Sequence, residues 1–193
     1  MHLVFDIFQG IGVAAAVGIR PFLPALAVGA LAVGDVEIHF NGTQFSFLQS
    51  GPFLLGMAVG AIALALIGRR ISLENGVGLA LAGLIGAALG ALLFAGSLCR
   101  GHYAIWPGIV GGVICAAIGL AATVPLLQRV RARLDQSAAA ALPAFAEGAA
   151  LLLAALSVVA PPVGPIGLLL LLWLLYAGRG RGEQKYAGLR ILR

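Results

Sequence analysis

An apolar run reaching from Leu3 to Val33 carries an arginine and two prolines near its middle, in the stretch Gly18-Ile19-Arg20-Pro21-Phe22-Leu23-Pro24. That combination restricts the chain more than any other feature. A helix needs about 20 apolar residues to cross roughly 30 Å of hydrocarbon, so position 20 of a run that begins at position 3 is expected near mid-membrane. A guanidinium at that depth costs on the order of 3 kcal/mol, and it requires a counter-charge, a wet cavity or a bound anion. Pro21 lacks a backbone donor and pushes Arg20 away from helical dihedrals, and Pro24 acts likewise on Leu23. The first span is therefore predicted to break at Arg20-Pro21 and to resume after it. A break at depth is tolerated where it is packed in protein or lines a polar cavity.

Composition makes a water-soluble fold untenable. Apolar residues are 61% of the 193 and charged residues 10%, against about 25% charged in soluble domains. The expected fold class is all-α integral membrane, a single polytopic domain over 1–193 with six transmembrane helices at about 3–33 (interrupted), 50–68, 76–98, 104–128, 141–160 and 164–178. A net charge of +5 would draw nucleic acid only if it were clustered on a soluble face. Here ten of the 12 Lys and Arg fall in three places: Arg69 and Arg70; Arg129, Arg131 and Arg133; and the tail 179–193 with Arg179, Arg181, Lys185, Arg190 and Arg193. Those places follow the second, fourth and sixth spans, while the opposite side holds Arg100. The positive-inside rule then puts both termini in the cytoplasm of a bacterial inner-membrane protein. With Asp6 and no Lys or Arg ahead of the apolar stretch, the N-terminus reads as a retained helix and not a signal peptide.

Between the first two spans, residues 34–49 alternate apolar and polar side chains around Asn41-Gly42. This pattern suits either a short β-hairpin cap or an interfacial loop anchored by Phe40, Phe45 and Phe47. Small-xxx-small pairs occur at Gly56/Gly60, Gly86/Gly90 and Gly108/Gly112. With 28 glycines in the chain such pairs arise by chance, so close packing within the chain is the expectation and a homo-oligomer an open alternative. The segment Gly119-Leu120-Ala121-Ala122-Thr123-Val124-Pro125-Leu126-Leu127 overlays Gly18 to Leu26 with Gly, an aliphatic, Pro and Leu in register. Repeats 1–98 and 104–178 of three spans each would have opposite orientations, the inverted plan of many secondary transporters.

The Gly18 to Pro24 run, Phe145-Ala146-Glu147-Gly148 and the tail stretch Lys185-Tyr186-Ala187-Gly188-Leu189-Arg190 together resemble the bacterial membrane family catalogued as domain of unknown function 4126. The resemblance implies a small polytopic protein and an acidic pair before the fifth span, where this chain has Ala146-Glu147. It implies no activity.

Candidate chemistry concentrates on Arg20. The helix resuming after Pro21 would add free N–H groups and a positive dipole end, so Gly18, Arg20, Pro21 and Pro24 form a candidate anion site, with Asp6 and Glu147 as the acidic residues able to neutralise it. The structural alternative is an ion pair of Arg20 with either one. Glu147 could also carry a coupling proton. Cys99 and Cys115 match no metal or redox spacing. His2, His39 and His102 fall at span edges, and Ser157 reads as a packing residue, so neither a metal, a cofactor nor catalysis is expected. Trp106, Trp173 and Tyr176 sit near span ends, as interfacial anchors do. The expected function is transport or flipping of a small anionic or lipid-like solute past Arg20 in the bilayer. The rival is a non-transporting membrane scaffold.

Overall fold

The computed structural model describes residues 2–38, 40–68 and 76–187. Arg69, Arg70, Arg190, Arg193 and His39, invoked above, lie outside them. Seven α-helices are present among the described residues: α1 His2–Ile19, α2 Phe22–Val33, α3 Gly51–Gly68, α4 Gly76–Arg100, α5 Ile105–Arg131, α6 Gln136–Val159 and α7 Val163–Ala187, with a 3₁₀ turn at Ser46–Gln49. Three segments, Gly76–Arg100, Ile105–Arg131 and Ser137–Val159, are long and apolar enough to cross a membrane; the apolar parts of α1, α2, α3 and α7 are shorter. Large apolar side chains cover the outside of the bundle, among them Leu55, Leu84, Trp106, Phe145 and Tyr176, each more than two-thirds exposed. A surface of that kind is stable against lipid and not against water.

α1 is the helix the others pack around; it touches α4, α5, α6 and α7. Its sequence explains this. Between Gly10 and Gly18 it holds only glycine, alanine, valine and one isoleucine, and Val13 to Val17 are at most 2% exposed. A helix that is small and apolar on every side admits neighbours on every side. At Gly18 a β-carbon would collide with the backbone of Ala116, and at Gly119 with the carbonyl of Ala15, so α1 and α5 lie backbone against backbone.

The break in the first apolar run is a reversal of direction. Gly29 of α2 packs on Leu48, Leu48 packs on Gly96 of α4, and the neighbouring Phe94 and Ser97 pack on Gly10 of α1. Residues 10 and 29 therefore lie at one level, with the turn at Arg20-Pro21 below them. The Arg20 N–H still donates to the Ala16 carbonyl at 3.1 Å; Pro21 has no N–H to extend the ladder, and α1 stops. α2 restarts with Pro21 at its N-cap and no side-chain cap.

This turn corrects several expectations together. The interrupted first span is two antiparallel helices instead of one kinked helix. The start of α1 consequently lies at the same end of the bundle as the 3₁₀ turn and the end of α4, and opposite the described end of α7. With three helices between them, α1 and α5 run in the same direction: α4 is antiparallel to α1, with Gly90 beside Ala14 and Gly86 beside Val17, and antiparallel to α5, with Gly108 beside Ala95 and Gly83 beside Leu120. An inverted repeat forbids that. The two segments also differ locally, since Pro125 stays inside the continuous α5. Residues 179–187, expected as part of a tail, continue α7 as helix.

Residues 34–49 form no strand among those described; they fold as turns that end in the 3₁₀ turn. Ile38, Phe40 and Leu48 are at most 1% exposed and plug the bundle end over Gly96, while Phe47 stays exposed. Polar contacts knit the loop: the Phe40 N–H donates to Gln49 Oε1 at 2.9 Å, Thr43 Oγ1 donates to the Phe40 carbonyl at 2.8 Å, and Gln49 Nε2 donates to Asn41 Oδ1. The loop's own hydrogen-bonding demand is met by side chains, which leaves the ladder of a hairpin without a purpose.

Candidate functional site

Arg20 sits between the end of α1 and the start of α2, level with Leu120 and Thr123 of α5. At 1.5 Å per residue that level is about 25 Å along α5 from its start and about 14 Å short of its end. The guanidinium is thus inside the bundle and past its middle. Its side chain is 12% exposed, and Nε lies 3.8 Å from Glu147 Oε1, whose side chain is 25% exposed. That distance makes an ion pair and not a hydrogen bond. Arg20 Nε is buried with no hydrogen-bond partner.

Beside the guanidinium is a cavity of about 30 Å³, lined by Gly18, Arg20, Pro21, Leu64, Thr123 and aliphatic neighbours. Its size suits one water molecule. The Thr123 hydroxyl donates to the Gly119 carbonyl at 2.7 Å, which leaves its oxygen lone pairs as the polar feature on the α5 wall. Gly18 acts here by letting α5 approach, and Pro21 by ending α1. Pro24 is fully buried within α2 and does not line the cavity.

Asp6 belongs elsewhere. Its carboxylate accepts from Arg100 Nη2 at 2.5 Å, at the opposite end of α1, and is 3% exposed there; Arg100 Nη1 donates to the Glu37 carbonyl, also at 2.5 Å. Of the two acidic residues proposed for Arg20, Glu147 alone reaches it. Arg100, expected as a lone outer charge, is the last residue of α4 and ties that helix to α1 and to the 34–49 loop. Thr123 and Gln9 escaped the sequence reading. Gln9 is 2% exposed; its Nε2 donates to the Val158 carbonyl at 3.4 Å, and Oε1 has no partner. Asp6, Gln9 and Arg20 share one face of α1 by helical spacing, a signal that alternates too sparsely with valine and alanine to be read from sequence.

Ser157 donates to the Leu153 carbonyl at 2.6 Å and Ser97 to that of Phe94 at 2.8 Å, the local bonds common for hydroxyls inside helices. Cys99 and Cys115 are free thiols, and no group of metal-ligating side chains occurs among the described residues. The chemistry available at Arg20 is therefore one cation, one displaceable carboxylate and room for a water-sized guest. Comparison of the chain with protein-family models, curated proteins and solved structures finds no match.

Proposed function

We propose that this chain is a small multi-pass inner-membrane transporter or flippase for an anionic or amphipathic solute, with Arg20 as the binding cation and Glu147 as its resting counter-ion. The buried Arg20 Nε, without an acceptor although a carboxylate stands 3.8 Å away, carries the reading. A guanidinium offers a planar fork that carboxylate, phosphate or sulfate fills with two parallel bonds. Glu147 leaves that fork unfilled, so an anion with better geometry gains bonds by replacing it. The water-sized cavity makes this the closed state. Entry then requires movement of a wall, and α3, which packs mainly on the short α2 and contributes Leu64, is the wall least held by neighbours. The basic loops support a cytoplasmic location for the ends of α3, α5 and α7. The resemblance to domain family 4126 is part of this proposal and adds bacterial membrane character only.

A second reading, the membrane scaffold, draws on the same cavity: with space for one water, Arg20–Glu147 also works as a structural pair. The variants Arg20→Lys and Arg20→Leu separate the two. In a transporter both fold and insert, Lys keeps weak stabilisation by added anions in detergent, and Leu loses it. In a scaffold, Arg20→Leu strands Glu147 at a cost of about 3–5 kcal/mol, and Glu147→Gln restores the melting temperature. A large drop so rescued would overturn the transport reading.

A further inference from the structure

A second and larger hollow lies on the flank of the bundle. It measures about 610 Å³, within the range of ligand sites. Its walls are Ala117 and Ala121 of α5 and Leu174 and Leu175 of α7, and it ends at Arg129 and Gly178. From Ala117 to Arg129 the groove extends about 18 Å along α5. Arg129 is two residues from the end of that helix, which is about 40 Å long by the same rise, so a bilayer centred on α5 would hold the guanidinium at headgroup level and the apolar walls toward its interior. Arg129 is held in place there. Its Nε donates to the Pro125 carbonyl at 2.9 Å, and its Nη2 lies against Gly178, where any side chain would displace it. α6 makes little contact with α5, and Leu79 of α4 also lines the hollow.

We infer that the α5–α7 groove is a binding site for one anionic glycerophospholipid, its phosphate on Arg129 and an acyl chain along Ala117, Ala121, Leu174 and Leu175. The charge, the depth of the charge and the long apolar slot match the three parts of such a lipid. A zwitterionic lipid fills the slot equally well but gains less at Arg129, because its ammonium group offsets the phosphate. The site is separate from Arg20, which lies behind Leu120 and Val124.

The test uses the full chain in detergent, with phosphatidylglycerol and phosphatidylcholine of identical chains as probes, read by native mass spectrometry and by melting temperature. Phosphatidylglycerol is expected to bind about fivefold more tightly, the factor for one basic residue near a headgroup. Arg129→Gln should bring the two lipids level, and Ala121→Trp, which fills the slot, should abolish both; Arg20→Leu should leave the preference intact. Equal binding of the two lipids to the unaltered protein overturns the assignment, as does a preference that survives Arg129→Gln. So does inorganic phosphate reproducing the stabilisation, which marks a free-anion site, or a dimer that Ala121→Trp abolishes, which marks a second copy in the groove. Loss of the preference in Arg20→Leu would move the headgroup to Arg20 and overturn the site at Arg129, while failure of the Arg20 transport reading leaves the lipid result untouched.

Discussion

Asp6 and Arg100 are 94 residues apart in sequence and joined at 2.5 Å, and their unequal burial decides what each contributes. Asp6 is 3% exposed and Arg100 22%. Replacing Asp6 by leucine leaves an arginine that still reaches water and the Glu37 carbonyl. Replacing Arg100 by leucine leaves a carboxylate enclosed by α1 and α4 with its main partner gone. Breaking a buried pair from one side costs about 3–5 kcal/mol, with the more enclosed survivor at the upper end. Arg100→Leu is therefore expected to lower the melting temperature in detergent more than Asp6→Leu, and the double variant should recover most of the loss. Losses that simply add in the double variant would mean that Asp6 and Arg100 are not coupled. Sequence reasoning recognised both Asp6 and Arg20 as costly charges in an apolar run. It could not pair them correctly, because partner choice depends on which end of the bundle each occupies, and that follows from the course of the chain between them.

At the scale of elements, the apolar runs marked where helices form, and the Arg20-Pro21 step marked where one ends, since a missing donor and a restricted preceding residue act locally. Whether the chain bends or turns back at such a step is not a local property. It depends on α2 finding α3 and α6 to pack against, and composition alone does not encode those partners. The glycine pairs show the same limit. Gly86 and Gly90 face Val17 and Gly112, as tight packing within the chain predicts, whereas a β-carbon at Gly56 meets nothing. This contrast yields a measurable expectation. Gly18→Ala and Gly119→Ala force backbone against backbone at the α1–α5 contact and should each cost about 1–3 kcal/mol. Gly56→Ala should be neutral or gain up to about 1 kcal/mol from helix propensity. Unfolding in a mixed-detergent series checks it, and an unaffected Gly18→Ala would show that α1 and α5 are not in close contact.

For the whole molecule, a turn in place of a kink adds one reversal of chain direction, and every expectation that depends on parity changes with it. The sense of the repeat and the end at which α1 starts both depended on parity. The clustering of basic residues did not, because the ends of α3, α5 and α7 lie on one side whichever way the first run is folded. Orientation is consequently a sharp test of the fold. With single cysteines introduced after replacing Cys99 and Cys115, positions 3–5 should be labelled by an impermeant thiol reagent from the same side as positions 34–37 and 101–103. Positions 132–135 should be labelled only from the other side, which the positive-inside rule makes the cytoplasm. Labelling at position 20 should be slow from either side, since the cavity there holds a single water. If positions 3–5 react together with 132–135, α1 crosses in the opposite sense, the α1–α2 reversal is wrong, and the contact of Asp6 with Arg100 cannot form.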